Sequence, residues 1–202
     1  MTAIVTGGTS GLGAAIAELL RSRGKRVITV SRRESADVSG DASKRETAQR
    51  AVEAAGDDVD LLVNCAGIGI YGPAGSYDDE AIAAMIGSNL VATIVFCEAF
   101  APRFMRDGGT IVNVLSTAAL TGKPNETVYC AAKWGARGYT EALRAEAKGT
   151  KLRLISVAPG GMDTPFWPEK RAGFMDAREV AAVIVDAVDR RVNVAELVIS
   201  RG

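Results

Sequence analysis

Apolar residues fall along this chain in two alternating rhythms. Short β-branched runs at 3–6, 26–30, 60–64, 110–115, 152–158 and 195–199 have the near-continuous hydrophobicity of strands buried on both faces. Between them, 12–23, 43–55, 78–105, 127–148 and 176–190 carry helical spacing. Gly24 suits the end of the first helix, and Asp78 and Asp79 stand where a helix N-terminus favours acid. Residues 33–42 follow neither rhythm. Strands alternating with crossover helices predict an α/β fold, a doubly wound parallel sheet covered on both faces. With 202 residues, no internal repeat and no linker, one domain over 1–202 is expected. Residues 1–110 would mainly bind a cofactor, and 111–202 would mainly supply the catalytic and substrate side.

Composition narrows the chemistry. Formal net charge is zero and no segment concentrates Lys and Arg, so a nucleic-acid partner is not expected. The longest apolar runs fall short of the ~20 residues of a bilayer span. The opening Met1-Thr2-Ala3-Ile4-Val5 has no basic leader region and runs into a strand, which points to a cytoplasmic protein. Cys65, Cys97 and Cys130 are odd in number and lack metal-ligand spacing, and there is no histidine, so no metal site is expected. The cysteines read as reduced core residues. Without histidine, any general acid comes from Tyr, Lys, Cys, Asp or Glu.

The first strand runs into Thr6-Gly7-Gly8-Thr9-Ser10-Gly11-Leu12-Gly13 and then directly into a helix. Glycines there let the backbone approach a pyrophosphate, and the helix N-terminus offers free N–H groups. The spacing is T-G-x-x-x-G-x-G rather than G-x-G-x-x-G. Where a dinucleotide site for NAD usually has an acid, at the end of the second strand, this chain has Ser31-Arg32-Arg33. Two guanidiniums suit the 2′-phosphate of NADP(H), which is therefore preferred over NAD(H). Asp41 is a candidate partner for the adenine amino group.

A second cluster lies further on. Tyr129 and Lys133 are four apart on one helix face, so an ammonium could lower the phenol pKa. Ser116 stands at the C-terminal end of a strand, where ligands of open parallel sheets collect. Asn64 and Asn89 are further polar groups in apolar surroundings.

Together these residues resemble the short-chain dehydrogenase/reductase family over almost the whole chain. Gly7, Gly11 and Gly13 match its cofactor glycines, and Asn64-Cys65-Ala66-Gly67 looks like its N-N-A-G turn with Cys for the second Asn. Asn89, Ser116, Tyr129 and Lys133 fall in the order of its catalytic tetrad, and Pro159-Gly160-Gly161-Met162-Asp163-Thr164 is similar to its P-G-x-x-x-T segment. The resemblance implies a Rossmann-type sheet of about seven strands in order 3-2-1-4-5-6-7. It also implies an NADP(H)-dependent oxidoreductase acting on a small carbonyl or alcohol substrate. Tyr129 would be its general acid or base, Ser116 would hold the substrate oxygen, and Lys133 would bind the nicotinamide ribose and lower the phenol pKa. Asn89 would hold a water linking Lys133 to solvent. Thr9, Ser10, Leu12, Ala66, Gly67, Pro159, Gly160, Met162 and Thr164 would join the cofactor contacts, and the chain would form a homodimer or homotetramer through its long helices.

Two departures stand out. Between Arg33 and Asp41 there is no room for the family's second crossover helix, and after Thr164 the substrate lid is short, with Phe166, Trp167, Phe174 and Met175 as candidate lining. The rival reading is a non-catalytic NADP(H)-binding redox sensor or scaffold, which would bind cofactor without turnover.

Overall fold

A computed structural model describes residues 1–167 and 172–201. Its strands are β1 (Thr2–Thr6), β2 (Arg26–Ser31), β3 (Val38–Ser39), β4 (Val59–Asn64), β5 (Gly109–Val114), β6 (Leu152–Pro159), β7 (Met162–Asp163), β8 (Met175–Asp176) and β9 (Glu196–Ile199). Its α-helices are α1 (Gly11–Ser22), α2 (Arg45–Ala55), α3 (Asp79–Ile86), α4 (Ala92–Asp107), α5 (Thr127–Glu146) and α6 (Ala177–Asp189). Seven strands form one sheet in the order β3-β2-β1-β4-β5-β6-β9, every neighbouring pair parallel. The predicted order holds. The last strand is ninth in the chain only because a separate two-stranded ribbon, β7-β8, intervenes.

The pleat divides the core in two. Ile4 and Leu62 turn toward α2, α4 and α5, where they join Ala51, Phe96, Phe100 and Leu143. Ala3, Val5, Leu61 and Val63 turn the other way, onto Ile16 and Leu20 of α1 and Ile184 of α6. Both faces are therefore dry, which is why the strands read as continuous apolar runs rather than alternating ones.

The short second crossover has a visible solution. β3 is only two residues long and pairs with Val30 and Ser31 of β2. Below that point the Asp37 carboxylate stands in for a strand, accepting from the Thr29 backbone N–H at 2.8 Å and its hydroxyl at 2.7 Å. Partial burial pushes this carboxyl up, but the Thr29 bonds and nearby Arg21 win, and it sits below its usual range.

The helix expected over 78–105 is interrupted. Asp78 caps α3 by accepting from the Ala81 N–H at 2.8 Å. A π-turn at Gly87–Val91 then separates α3 from α4. The Asn89 side chain explains it, because Nδ2 donates to the Met85 carbonyl at 2.9 Å. An α-helix would give that carbonyl to the backbone N–H of residue 89. The stretch Asp79–Asp107 is 29 residues long and holds an 18-residue window of mean hydropathy 1.7, long and apolar enough by length and composition to cross a membrane, contrary to the expectation from its individual runs. In this fold Phe96, Phe100 and Phe104 pack into the core against the sheet.

Candidate active site

β1 is followed on one side by β2 and on the other by β4, so the chain ends of β1 and β4 part at a topological switch point. The Thr6 hydroxyl holds this split in shape, accepting from the N–H groups of Cys65 and Ala66 at 3.0 and 3.1 Å. A cleft of about 550 Å³ opens there and runs from Arg32, Arg33 and Asp41 at one end to Ser116, Tyr129 and Trp167 at the other.

The nucleotide end is built from backbone. A Cβ on Gly13 would lie 2.3 Å from the Gly7 carbonyl oxygen, so α1 can start this close to the turn only with glycine there. The N-cap Ser10 makes no side-chain cap bond and the first turn of α1 has no acid, which leaves its N–H groups facing the cleft. Thr164 leans over the same turn, 3.2 Å from where a Gly11 Cβ would stand. At the outer end, the Thr9 hydroxyl donates to Ser31 Oγ at 2.9 Å, and the Arg33 N–H donates to the same oxygen at 3.1 Å. Arg32 and Arg33 are exposed at the rim. Asp41 also lines the cleft, but its carboxylate accepts from the Ser43 N–H at 2.9 Å and so shapes its own turn.

The reactive end is built from buried side chains. Ser116 ends the β5 turn, and its Oγ accepts from the Ala118 N–H at 3.1 Å. Tyr129, near the start of α5, is 7% exposed and lines the cleft together with Ser116. Burial pushes the phenol well above its ordinary value, the nearby Ser116 side chain pulls it down, and Glu126 adds to the rise. One turn on, Lys133 Nζ donates to the Val114 carbonyl at 3.1 Å and lies 5.8 Å from the centre of the Tyr129 ring. Burial lowers this amine to about 8, with Cys65 acting in the opposite direction. The ammonium is held by a backbone carbonyl and is itself weakened by desolvation.

Asn89 does not line the cleft among the described residues, but it borders it from below. Its Nδ2 holds the Ile68 carbonyl at 2.8 Å, while its buried Oδ1 has no hydrogen-bond partner. A Cβ on Gly67 would lie 2.6 Å from that oxygen and 3.7 Å from Lys133 Nζ, so both groups face the bare side of Gly67.

Asn64 is placed differently from the expectation. Its side chain turns into the core, where Nδ2 donates to Asn113 Oδ1 at 2.8 Å, and Asn113 in turn donates to the Thr140 hydroxyl at 2.9 Å. This network ties β4, β5 and α5 together beneath the cleft. Cys65 was expected in the core with the other cysteines, yet it is half-buried and lines the cleft, its thiol raised to about 11 by burial. Gly40, Ala42, Ser88, Lys123 and Glu126 also line it and had no motif to mark them. Of the lid candidates, Phe166 and Trp167 line the cleft and Phe174 packs on Trp167 with ring centres 5.4 Å apart. Met175 lies in the ribbon strand β8 and joins the core beside α1 and α6. The rest of the expected lid, from Pro168 to Arg171, lies outside the described residues.

The glycine cradle, the open helix N-terminus and the unpartnered Asn89 oxygen fit a dinucleotide with its reactive ring near Tyr129. Fold and site together define a nucleotide-binding oxidoreductase of the Rossmann type. The family model for short chain dehydrogenases matches residues 1–173, and the chain belongs to that family. It is 32% identical over 179 residues to carbonyl reductase family member 4 of Danio rerio, covering 80% of this chain and 76% of that one. A short-chain dehydrogenase/reductase from Vibrio parahaemolyticus superposes with a TM-score of 0.90 at 29% identity, covering 99% of this chain and 96% of the other. A short-chain dehydrogenase from Burkholderia cenocepacia, solved in complex with NADP, gives a TM-score of 0.90 at 31% identity, covering 98% and 87%.

Proposed function

We propose that the protein interconverts a carbonyl compound and its alcohol with NADP(H), Tyr129 acting as general acid in reduction and general base in oxidation. One observation carries this reading: Ser116, Tyr129 and Lys133 line the same cleft as the glycine cradle. A bound nicotinamide supplies or accepts the hydride. The substrate oxygen then lies between the Ser116 and Tyr129 hydroxyls, two O–H donors aimed at the point where negative charge develops. Tyr129 Oη gives up its proton to that oxygen. Because burial raises the phenol, the protonated donor form persists through neutral pH. Lys133 and the Asn89 oxygen, which both face the bare side of Gly67, return a proton through water in this reading.

NADP(H) is preferred over NAD(H) in this reading because Arg32 and Arg33 flank a serine rather than an acid at the end of β2. The NADP complex of the Burkholderia relative is consistent with that preference. Pairing of subunits through α3 and α5 is proposed from Ile82 and Trp134, 39% and 49% exposed on those helices. Sedimentation giving only monomer at micromolar concentration would remove it.

Tyr129→Phe keeps the ring and removes the proton. We expect NADPH still to bind, seen by nicotinamide fluorescence, while turnover across a ketone and aldehyde panel falls about 10²–10⁴-fold. Undiminished turnover would reject the assigned role. NADPH binding by the native protein with no turnover of any panel member would favour a sensor instead.

A further inference from the structure

Resting on that reading, we infer that the substrate carries an anionic group, held by Lys123, on a flat apolar body laid against Phe166 and Trp167. Lys123 lies in the segment between Ser116 and Tyr129 and lines the reactive half of the cleft. Its Nζ donates to the Thr117 hydroxyl at 2.8 Å, which fixes it one residue beyond Ser116. An ammonium has three donors, and this contact uses one. Among the described residues no carboxylate lies within ion-pair distance of Lys123, whereas Lys25 and Arg144 each have one and Arg23 has two. Glu126 stands on the same wall and makes no ion pair with Lys123 within 4.0 Å. Among the described residues, the remaining cations of the cleft have other duties: Arg32 and Arg33 stand at the far end, and Lys133 is buried on the Val114 carbonyl. A half-buried cation with open donors, beside the two hydroxyls that hold the carbonyl oxygen, is a seat for a carboxylate or phosphate.

The aromatic lining sets the shape of the rest of the substrate. Phe166 stands 5.9 Å from the Tyr129 ring and 5.5 Å from Trp167, centre to centre. Tyr71 stacks on Trp167 at 4.9 Å with the planes 10° apart, so one face of the indole is backed by a second ring. Phe166 and Trp167 thus form a rigid apolar wall, and a planar aryl or conjugated body gains the most contact against it.

The test compares para-acetylbenzoate, its methyl ester and an open-chain oxo acid of the same length. Each is measured for kcat/KM with NADPH and for equilibrium binding to the NADP+-loaded protein. The acid should exceed the ester by about tenfold or more, the scale of a charge-assisted bond, and Lys123→Gln should bring that ratio to about one. Trp167→Leu should instead reduce the preference for the aryl acid over the open-chain acid. An acid-to-ester ratio near one in the native protein, or one unmoved by Lys123→Gln, overturns the assignment. Para-acetylphenyl phosphate against the carboxylate distinguishes the two anion types. Binding needs no turnover, so the two readings fail separately. Acid-selective, Lys123-dependent binding without turnover removes the enzyme and keeps the anion seat; turnover without acid preference removes the seat alone.

Discussion

The two ends of the cleft are made of different materials. The nucleotide end is backbone and exposed charge: the Gly7–Gly13 turn, the uncapped N–H groups of α1, and the rim arginines. Its charges, on Arg32 and Arg33, stay exposed when the protein folds. The reactive end is a set of buried titratable side chains whose pKa values burial has moved, Tyr129 upward and Lys133 down to about 8. A recognition surface can be built at little cost to stability; a proton-transfer site requires charge-bearing groups in a dry place.

If that division is right, substitutions at the two ends should fail in different ways. The largest effect is expected at Ser116. Ser116→Ala removes a donor to the substrate oxygen and the side chain that pulls the Tyr129 phenol down, so kcat should drop about 10²–10³-fold with nucleotide affinity kept. An equal loss of NADPH affinity would merge the two ends into one.

Next is a gain rather than a loss. The Lys133 amine has a folded value of about 8 against an ordinary 10.5, so the unfolded chain binds more protons between those two pH values. Stability of the native protein should therefore rise with pH across that window, the full burial penalty being present below pH 8. Lys133→Met should abolish the slope and, at pH 7, offset a penalty of about 3 kcal/mol less the lost Val114 bond, while destroying turnover. Urea melts at several pH values check both; a Lys133→Met protein less stable than native at pH 7 would show that the amine is not strained by burial.

At the other end, Arg32→Asp should weaken NADP(H) by about 1.5–3 kcal/mol per lost phosphate bond and leave NAD(H) nearly unaffected. Equal weakening of both would remove the 2′-phosphate argument. Smaller still, Gly13→Ala sets a Cβ against the Gly7 carbonyl and should cost about 1–3 kcal/mol, appearing mainly as weaker nucleotide binding with kcat at saturation preserved.

The same contrast explains what could be read from the chain. The α1 turn and the Ser116, Tyr129 and Lys133 set could be marked because each depends on local spacing within one strand–turn–helix unit, whereas the sheet order followed from the family resemblance. What escaped depends on contacts between distant segments. The amide of Asn64 looked like a site group, but Asn113 and Thr140, brought from β5 and α5, claim it for the core. Cys65 looked like core, but the separation of β1 and β4 opens it to the cleft. The π-turn at Gly87–Val91 follows from one side chain taking one carbonyl, which no hydrophobic period records. Asp37 replaces part of a strand through a bond to Thr29 that composition cannot reveal. Lys123 had no motif at all; only the closure of its loop onto Thr117 sets it beside the reactive hydroxyls.

A crystal structure of the protein with NADP+ tests directly whether the two ends serve one ligand. The account predicts the 2′-phosphate on Arg32 and Arg33, the pyrophosphate at the start of α1, and the nicotinamide beside the Tyr129 and Ser116 hydroxyls. A nicotinamide directed away from those hydroxyls, with the phosphates still on the glycine turn, would contradict it.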